Sequence, residues 1–167
     1  MYQIGEYVVY GTRGVCLVQD IRHVDMPGAP AERMYYILQP MQDKGATVYL
    51  PTDNDKAVIR HIMDGDEARE LVDDIPDIGG LDIPDDKKRE VTYKEAMKSC
   101  DSRTWVRMIR TLSLRRESRL ALGKKVTTLD ERFFKAAMGA LGDELSIALE
   151  ISPEEAEDMI QEAIRKE

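Results

Sequence analysis

Around residue 60 the chain changes its building material, and this change constrains the fold more than any single motif. The first 60 or so residues are rich in Val, Tyr and Gly, whereas the remainder is rich in Arg, Lys, Glu, Leu and Ala. IGEYVVYGTRGVCLVQDI (4–21) reads as two short strands, with Tyr7–Tyr10 as β-favouring material and Gly11 and Gly14 bracketing a turn that tolerates positive φ. MYYILQP (34–40) and ATVYLP (46–51) are further runs bounded by Pro, Gly and Asp, and KAVIRHI (56–62) supplies a fifth. Short strands at such even spacing predict a small, strongly bent barrel of the SH3 or Tudor kind.

The rest of the sequence predicts helices. Asp64 with Glu67 three residues on starts one over 64–75, with Leu71 and Val72 as apolar contacts. PDIGGLDIPDD (76–86) holds two prolines, two glycines and four aspartates and is the linker expected from composition. A helix follows over about 87–99 with Tyr93, Ala96 and Met97 as its apolar edge. Asp101 or Ser102 caps the next, in which Trp105, Met108, Ile109 and Leu112 recur at helical spacing and define a buried stripe. Thr127 and Thr128 precede Asp130 and Glu131 in capping-box spacing, after which Phe133, Phe134, Ala137, Met138, Leu141 and Leu145 face a core. SPEE (152–155) combines a Ser cap, Pro at the first helical position and Glu at the third, starting a final helix that runs to about Arg165. The expectation is an α+β chain: a β barrel over 1–75, a linker over 76–86 and a compact all-α domain over 87–167.

Charge is distributed unevenly. Residues 1–86 carry 7 Lys and Arg against 17 Asp and Glu, residues 87–135 carry 15 against 6, and residues 136–167 carry 2 against 9. A chain of net charge −8 therefore has a basic middle third. Within it, RTWVRMIRTLSLRRESR (103–119) holds six arginines, and Glu117 is the only acid between Asp101 and Asp130. Arg103, Arg107, Arg110, Arg115, Arg116, Arg119, Lys124 and Lys125 thus have few partners in sequence, and backbone phosphates attract such a set through counterion release without base contacts. The acidic tail is the competing partner, and neutralisation within the fold is the competing role. Trp105 lies on the apolar stripe and is assigned to the core.

Catalytic chemistry finds little material. His23 and His61 are the only histidines, and neither has a carboxylate or Cys at metal-ligand spacing, so both are given structural or surface roles. The paired acids Asp73–Asp74 and Glu154–Glu155 read as solvated helix ends, and neither Gly11 with Gly14 nor Gly79 with Gly80 forms a phosphate-binding loop. Two cysteines, Cys16 and Cys100, are too few for a disulfide framework and lack zinc-site spacing. The N-terminus lacks the basic and apolar regions of a signal peptide, and no apolar run reaches the ~18 residues of a membrane helix, so a cytoplasmic, non-enzymatic protein without metal or cofactor is expected.

YQIGEYVVYGTRGVCLVQDI, followed by MYYILQP and TVYLP, resembles the RNA-polymerase-interacting domain of the CarD/CdnL bacterial transcription regulators, a Tudor-like module shared with transcription-repair coupling factors. YKEAMKSCDSRTWVRMIRTL and TTLDERFFKAAMGALGDEL resemble the helical segments of the same family, in the same order. The resemblance implies a regulator that docks its barrel on the polymerase β subunit by adding to a strand edge, while the helical domain touches promoter DNA upstream of the opening bubble and alters open-complex stability. It assigns polymerase contact to positions matching Val24, Met26 and Tyr49, where some relatives carry arginine at the first and last, so the interface expected here is less charged. The family's wedge tryptophan maps near Asp86, which phosphate would repel, although Lys87, Lys88 and Arg89 stand beside it to reach the backbone. Two readings of other classes stay open: a protein-interaction adaptor whose arginine strip binds an acidic protein or its own tail, and an RNA- or ribosome-associated module of the KOW kind. The sequence leaves the oligomeric state open.

Overall fold

The computed structural model describes residues 1–166. They form two compact units, residues 1–62 and the residues from Met63 onward. The first is a Tudor-like five-stranded antiparallel sheet and the second is helical, so the α+β architecture is as expected.

Strands β1 (Tyr7–Tyr10), β2 (Gly14–His23), β3 (Met34–Pro40), β4 (Val48–Pro51) and β5 (Ile59–His61) lie in the order β4-β3-β2-β1-β5. Gly11 and Gly14, at φ 36° and 71°, make the tight β1–β2 connection that a Cβ would strain. The ten-residue β2 serves two neighbours: it pairs with β1 from Leu17 to Gly14, and with β3 through a register shift between Val18 and Asp20. Such a shift bends a strand, which lets one sheet wrap a single core. That core is Val8, Cys16, Val18, Tyr36, Leu38 and Leu50, with Val48 from one edge strand and Ile59 from the other packed against it. Tyr2 spans the opening, its backbone N–H donating to Tyr36 Oη (3.2 Å) and its hydroxyl to the Ile59 carbonyl (3.2 Å).

In the second unit, α1 (Gly65–Asp74) begins with the capping box anticipated at Asp64 and Glu67. Its Ala68 and Leu71 are buried, and α1 packs on α4 (Thr128–Leu149) and α5 (Pro153–Arg165). Residues 63–75, read from sequence as part of the barrel domain, therefore belong to the helical unit. The buried Glu144 carboxylate secures that placement by accepting the Met63 backbone N–H at 3.0 Å. The segment expected as a linker is likewise docked: the Leu81 N–H donates to Thr111 Oγ1 (2.8 Å) on α3 (Ser102–Ala121). A Cβ on Gly80 would lie 2.7 Å from the same oxygen, so the backbone approaches α3 as closely as only glycine permits.

Helix α2 (Arg89–Lys98) starts after a single 3-10 turn at Asp86–Lys88 and buries Tyr93, Ala96 and Met97 as expected. Trp105, Met108, Ile109 and Leu112 of α3 form the predicted stripe, each no more than 2% exposed. Thr127 and Ser152 cap α4 and α5 at the positions read from sequence. Phe134 is the exception among the predicted core positions of α4; it is half-buried and lines surface clefts between α3, α4 and α5. Helices α4 and α5 meet closely at Gly142, where a Cβ would sit 3.2 Å from Glu157 Cγ. Burial there, together with Asp143, Asp158 and Glu154, raises the Glu157 carboxyl above its ordinary value.

Two expectations follow from these packings. Gly80→Ala should cost about 1–2 kcal/mol in chemical denaturation, because it displaces Thr111 and frees the Leu81 N–H, whereas Gly79→Ala, with open space around its Cβ, should cost a few tenths at most. Equal costs would contradict the docked-segment account. A raised carboxyl binds its proton more tightly in the folded state, so its ionisation destabilises the fold as pH rises through the folded value. Glu157→Gln should accordingly stabilise the protein at neutral pH, and the gain should vanish when thermal melts are run at acid pH; a pH-independent gain would contradict this.

Candidate functional site

In the sheet unit the exposed edge strand β4 pairs only with β3. Leu50 is buried and Val48 packs on the core, so the alternation of the strand turns Tyr49 outward, 40% exposed. The register His23↔Met34 and the bond from the Thr52 N–H to the Met34 carbonyl (3.0 Å) bring the loop after β2 to the end of β4. Val24 and Met26, both half-buried, lie on that loop, which joins β2 to β3, the strand that pairs with β4. The histidines are elsewhere occupied: His61 Nδ1 lies 2.6 Å from Glu6 Oε2, and His23 Nδ1 is 3.3 Å from the Arg33 carbonyl.

The basic residues of the helical unit separate into three groups. Arg103, Arg107 and Arg110 fasten the end of α1 and the chain after it along α3, and Arg110 also reaches α5. Arg103 pairs with Asp74 at 2.7 Å, Arg107 Nε donates to the Gly80 carbonyl at 3.3 Å, and Arg110 donates to the carbonyls of Ile75 (2.8 Å) and Ile164 (3.4 Å).

Arg89 and Arg115 belong to a network around a buried carboxylate. Asp130, 3% exposed, accepts the Tyr93 hydroxyl at 3.0 Å and Arg115 Nε at 2.5 Å, which ties α2, α3 and the first turn of α4 together. Tyr93 in turn accepts from Arg89 Nη1 at 2.9 Å. Outward of this pair, Asp86 Oδ1 accepts from Arg89 Nη2 (2.9 Å) and Nε (3.3 Å) and lies 4.0 Å from Arg115 Nη1. The bond to Arg89 holds the Asp86 carboxyl below its ordinary value, while burial raises the Tyr93 hydroxyl. Burial works against the charge on Arg89, but its bonds to Tyr93 and Asp86 outweigh that and raise it.

The third group is available to solvent. Lys87, Lys88, Arg116, Lys124 and Lys125 are exposed and, among the described residues, enter no ion pair. Arg119 is half-buried and donates through Nε to the Lys125 carbonyl at 2.8 Å, shaping the α3–α4 loop. A cleft of about 370 Å³ lined by Asp86, Lys87, Arg89, Glu90, Arg115, Thr127 and Leu129 sets the 3-10 turn beside the start of α4; Glu90 is itself paired with Lys94 and Arg132. Lys87 lines the cleft with Lys88 next to it in the turn, Lys124 and Lys125 shortly precede Thr127 in the chain, and the positive end of the α4 dipole adds partial positive charge. Asp74, Asp86 and Asp130 pair with arginines of the strip or beside it, and Glu90 pairs with Arg132.

Sequence reading treated all eleven cations as one class and did not find the Asp130 network. Its signals were the helical spacing of Arg89 and Tyr93, and an Asp at the third position of α4 already served by a Thr cap. Asp86, three residues before Arg89, carries the same legible spacing.

None of the described residues forms a metal-binding cluster of three or more His, Cys, Asp or Glu, and no described helix is long and apolar enough to cross a membrane. No curated protein matches the chain. A family model for the CarD-like/TRCF RID domain, the polymerase-interacting module, matches residues 2–63, and one for the CarD C-terminal domain matches residues 84–161. These two matches, in this order over a β unit and a helical unit, make the chain a member of the CarD/CdnL family of non-enzymatic transcription regulators.

Proposed function

We propose that this protein is a cytoplasmic regulator that holds the RNA polymerase β subunit through the β4 edge of its sheet unit and lays the basic corner of its helical unit on the promoter DNA backbone, altering open-complex stability. The observation that carries the DNA half is the gathering of unpaired, exposed cations around the start of α4 in a chain of net charge −8. Counterion release from phosphates rewards such a cluster without sequence readout. The polymerase half rests on the match to the polymerase-interacting domain and on an edge strand with one face buried and Tyr49 turned out. Strand addition would supply main-chain hydrogen bonds, with Tyr49, Val24 and Met26 as the side-chain contacts.

The engagement of some of these cations within the fold supports a narrower set of proposed DNA contacts. Lys87, Lys88, Arg116, Lys124 and Lys125 are the direct candidates, with Arg119 supporting their loop and Arg89 and Arg115 beneath them. Arg103, Arg107 and Arg110 are already engaged in the fold, and their removal would disturb the packing of 74–80 before it touched DNA. An acidic protein with few phosphate contacts binds DNA weakly alone, and docking on polymerase raises its effective concentration at the promoter.

Lys124→Glu with Lys125→Glu should weaken duplex binding in a fluorescence anisotropy titration and lower the slope of log K against log salt by about two, at roughly 0.9 per phosphate contact, with thermal stability and polymerase affinity unchanged. An unchanged slope would move the DNA contact elsewhere. Tyr49→Glu in the full chain should weaken capture of a β-subunit fragment more than about tenfold, the size of a central interface residue, and leave duplex binding intact. Undiminished capture would remove β4 from the interface.

A further inference from the structure

Resting on the DNA reading above, we infer that Asp86 occupies, as an internal anion, the seat that a backbone phosphate takes between Arg89 and Arg115, and so restrains the DNA grip of the free protein. The geometry is that of an oxyanion on two guanidinium groups from different helices. One carboxylate oxygen accepts twice from Arg89 of α2 and faces Arg115 of α3. The two arginine side chains are largely enclosed, at 16% and 25% exposure, whereas the Asp86 side chain is 81% exposed. A solvated carboxylate thus plugs an enclosed bidentate site from outside, at a cleft rimmed by Lys87, the first turn of α4 and Glu90, whose own charge is held by Lys94 and Arg132.

Neither the turn nor the arginines depend on Asp86. The 3-10 turn is capped by Asp85, whose side chain accepts the Lys87 N–H at 2.7 Å and whose carbonyl accepts the Lys88 N–H at 3.1 Å. Arg115 has its own anchor on buried Asp130, and Arg89 has one on Tyr93. With Asp86 removed, both guanidinium groups keep their positions and present N–H donors to the cleft. An exposed ion pair of this kind is weak, so a phosphate arriving with its neighbours held by Lys87, Lys124 and Lys125 displaces the carboxylate at small cost. The restraint is therefore graded: one phosphate contact is withheld from free protein and released when polymerase holds the promoter in place.

The test compares full-length Asp86→Asn and Asp82→Asn with wild type, measuring anisotropy of a labelled 25-base-pair duplex across a salt series. Asp82 is an exposed acid of the same segment outside the cleft lining, so its variant reports the effect of net charge alone. Asp86→Asn should bind about three- to tenfold more tightly at low salt and steepen the salt slope by about one, with Asp82→Asn near wild type. Side-chain Nε–Hε resonances of Arg89 and Arg115 should then shift with less added duplex in Asp86→Asn than in wild type. Equal gains in both aspartate variants, or no gain in either while Lys124→Glu with Lys125→Glu still weakens binding, would overturn this inference and leave the DNA reading standing. Failure of wild type and every variant to bind the duplex at low salt would overturn both.

Discussion

The helical unit depends on the carboxylate of Asp130. A carboxylate that is 3% exposed must be fully partnered to be tolerated, and the partners it finds come from two other helices. Tyr93 brings α2 and Arg115 brings α3 to the first turn of α4, so the requirement to satisfy one buried carboxylate fixes three helices at one corner. Breaking such a pair leaves an uncompensated charge, which makes the arrangement specific as well as obligatory. Everything proposed about DNA sits on that corner: the 3-10 turn with Lys87 and Lys88, the α3–α4 loop with Lys124 and Lys125, and the cleft between them.

The arginine strip consequently does two jobs that its sequence does not distinguish. Its first half lies against residues 74–80, where guanidinium groups donate to the backbone carbonyls of Ile75 and Gly80. Its second half reaches the α4 corner, and the cations left exposed there stand on the loop and turn around it. The result is a small cationic site on an acidic protein. Such a site holds a phosphate backbone without strong steering from solution, which suits a factor that reaches its DNA by way of a tethered partner.

Much of the fold was legible because local chemistry and tertiary packing agree. Asp64, Thr127 and Ser152 cap the helices that their spacing announces, and the Trp105–Leu112 stripe is buried residue for residue. The glycines at 11 and 14 adopt the positive φ that the tight turn requires. Illegibility begins where a side chain chooses among distant partners. Nothing local tells that Arg110 will donate to Ile75 across 35 positions, or that Asp130 will turn inward to Tyr93 across 37. The segment over 76–86 misleads for the same reason: its Pro, Gly and Asp content excludes regular structure without implying freedom, and Thr111 holds it to α3. Phe134 departs from core expectation because α4 presents more apolar surface than α3 and α5 cover, leaving it half-buried beside Arg116.

The central claim is that partial DNA affinity becomes useful only through polymerase, and promoter-DNA binding by the full chain, measured across a salt series with and without RNA polymerase, tests it most directly. The account predicts weak, salt-sensitive binding alone and markedly tighter binding in polymerase's presence, with the gain lost in the Tyr49→Glu chain. Tight binding without polymerase, or a gain indifferent to Tyr49, would contradict it.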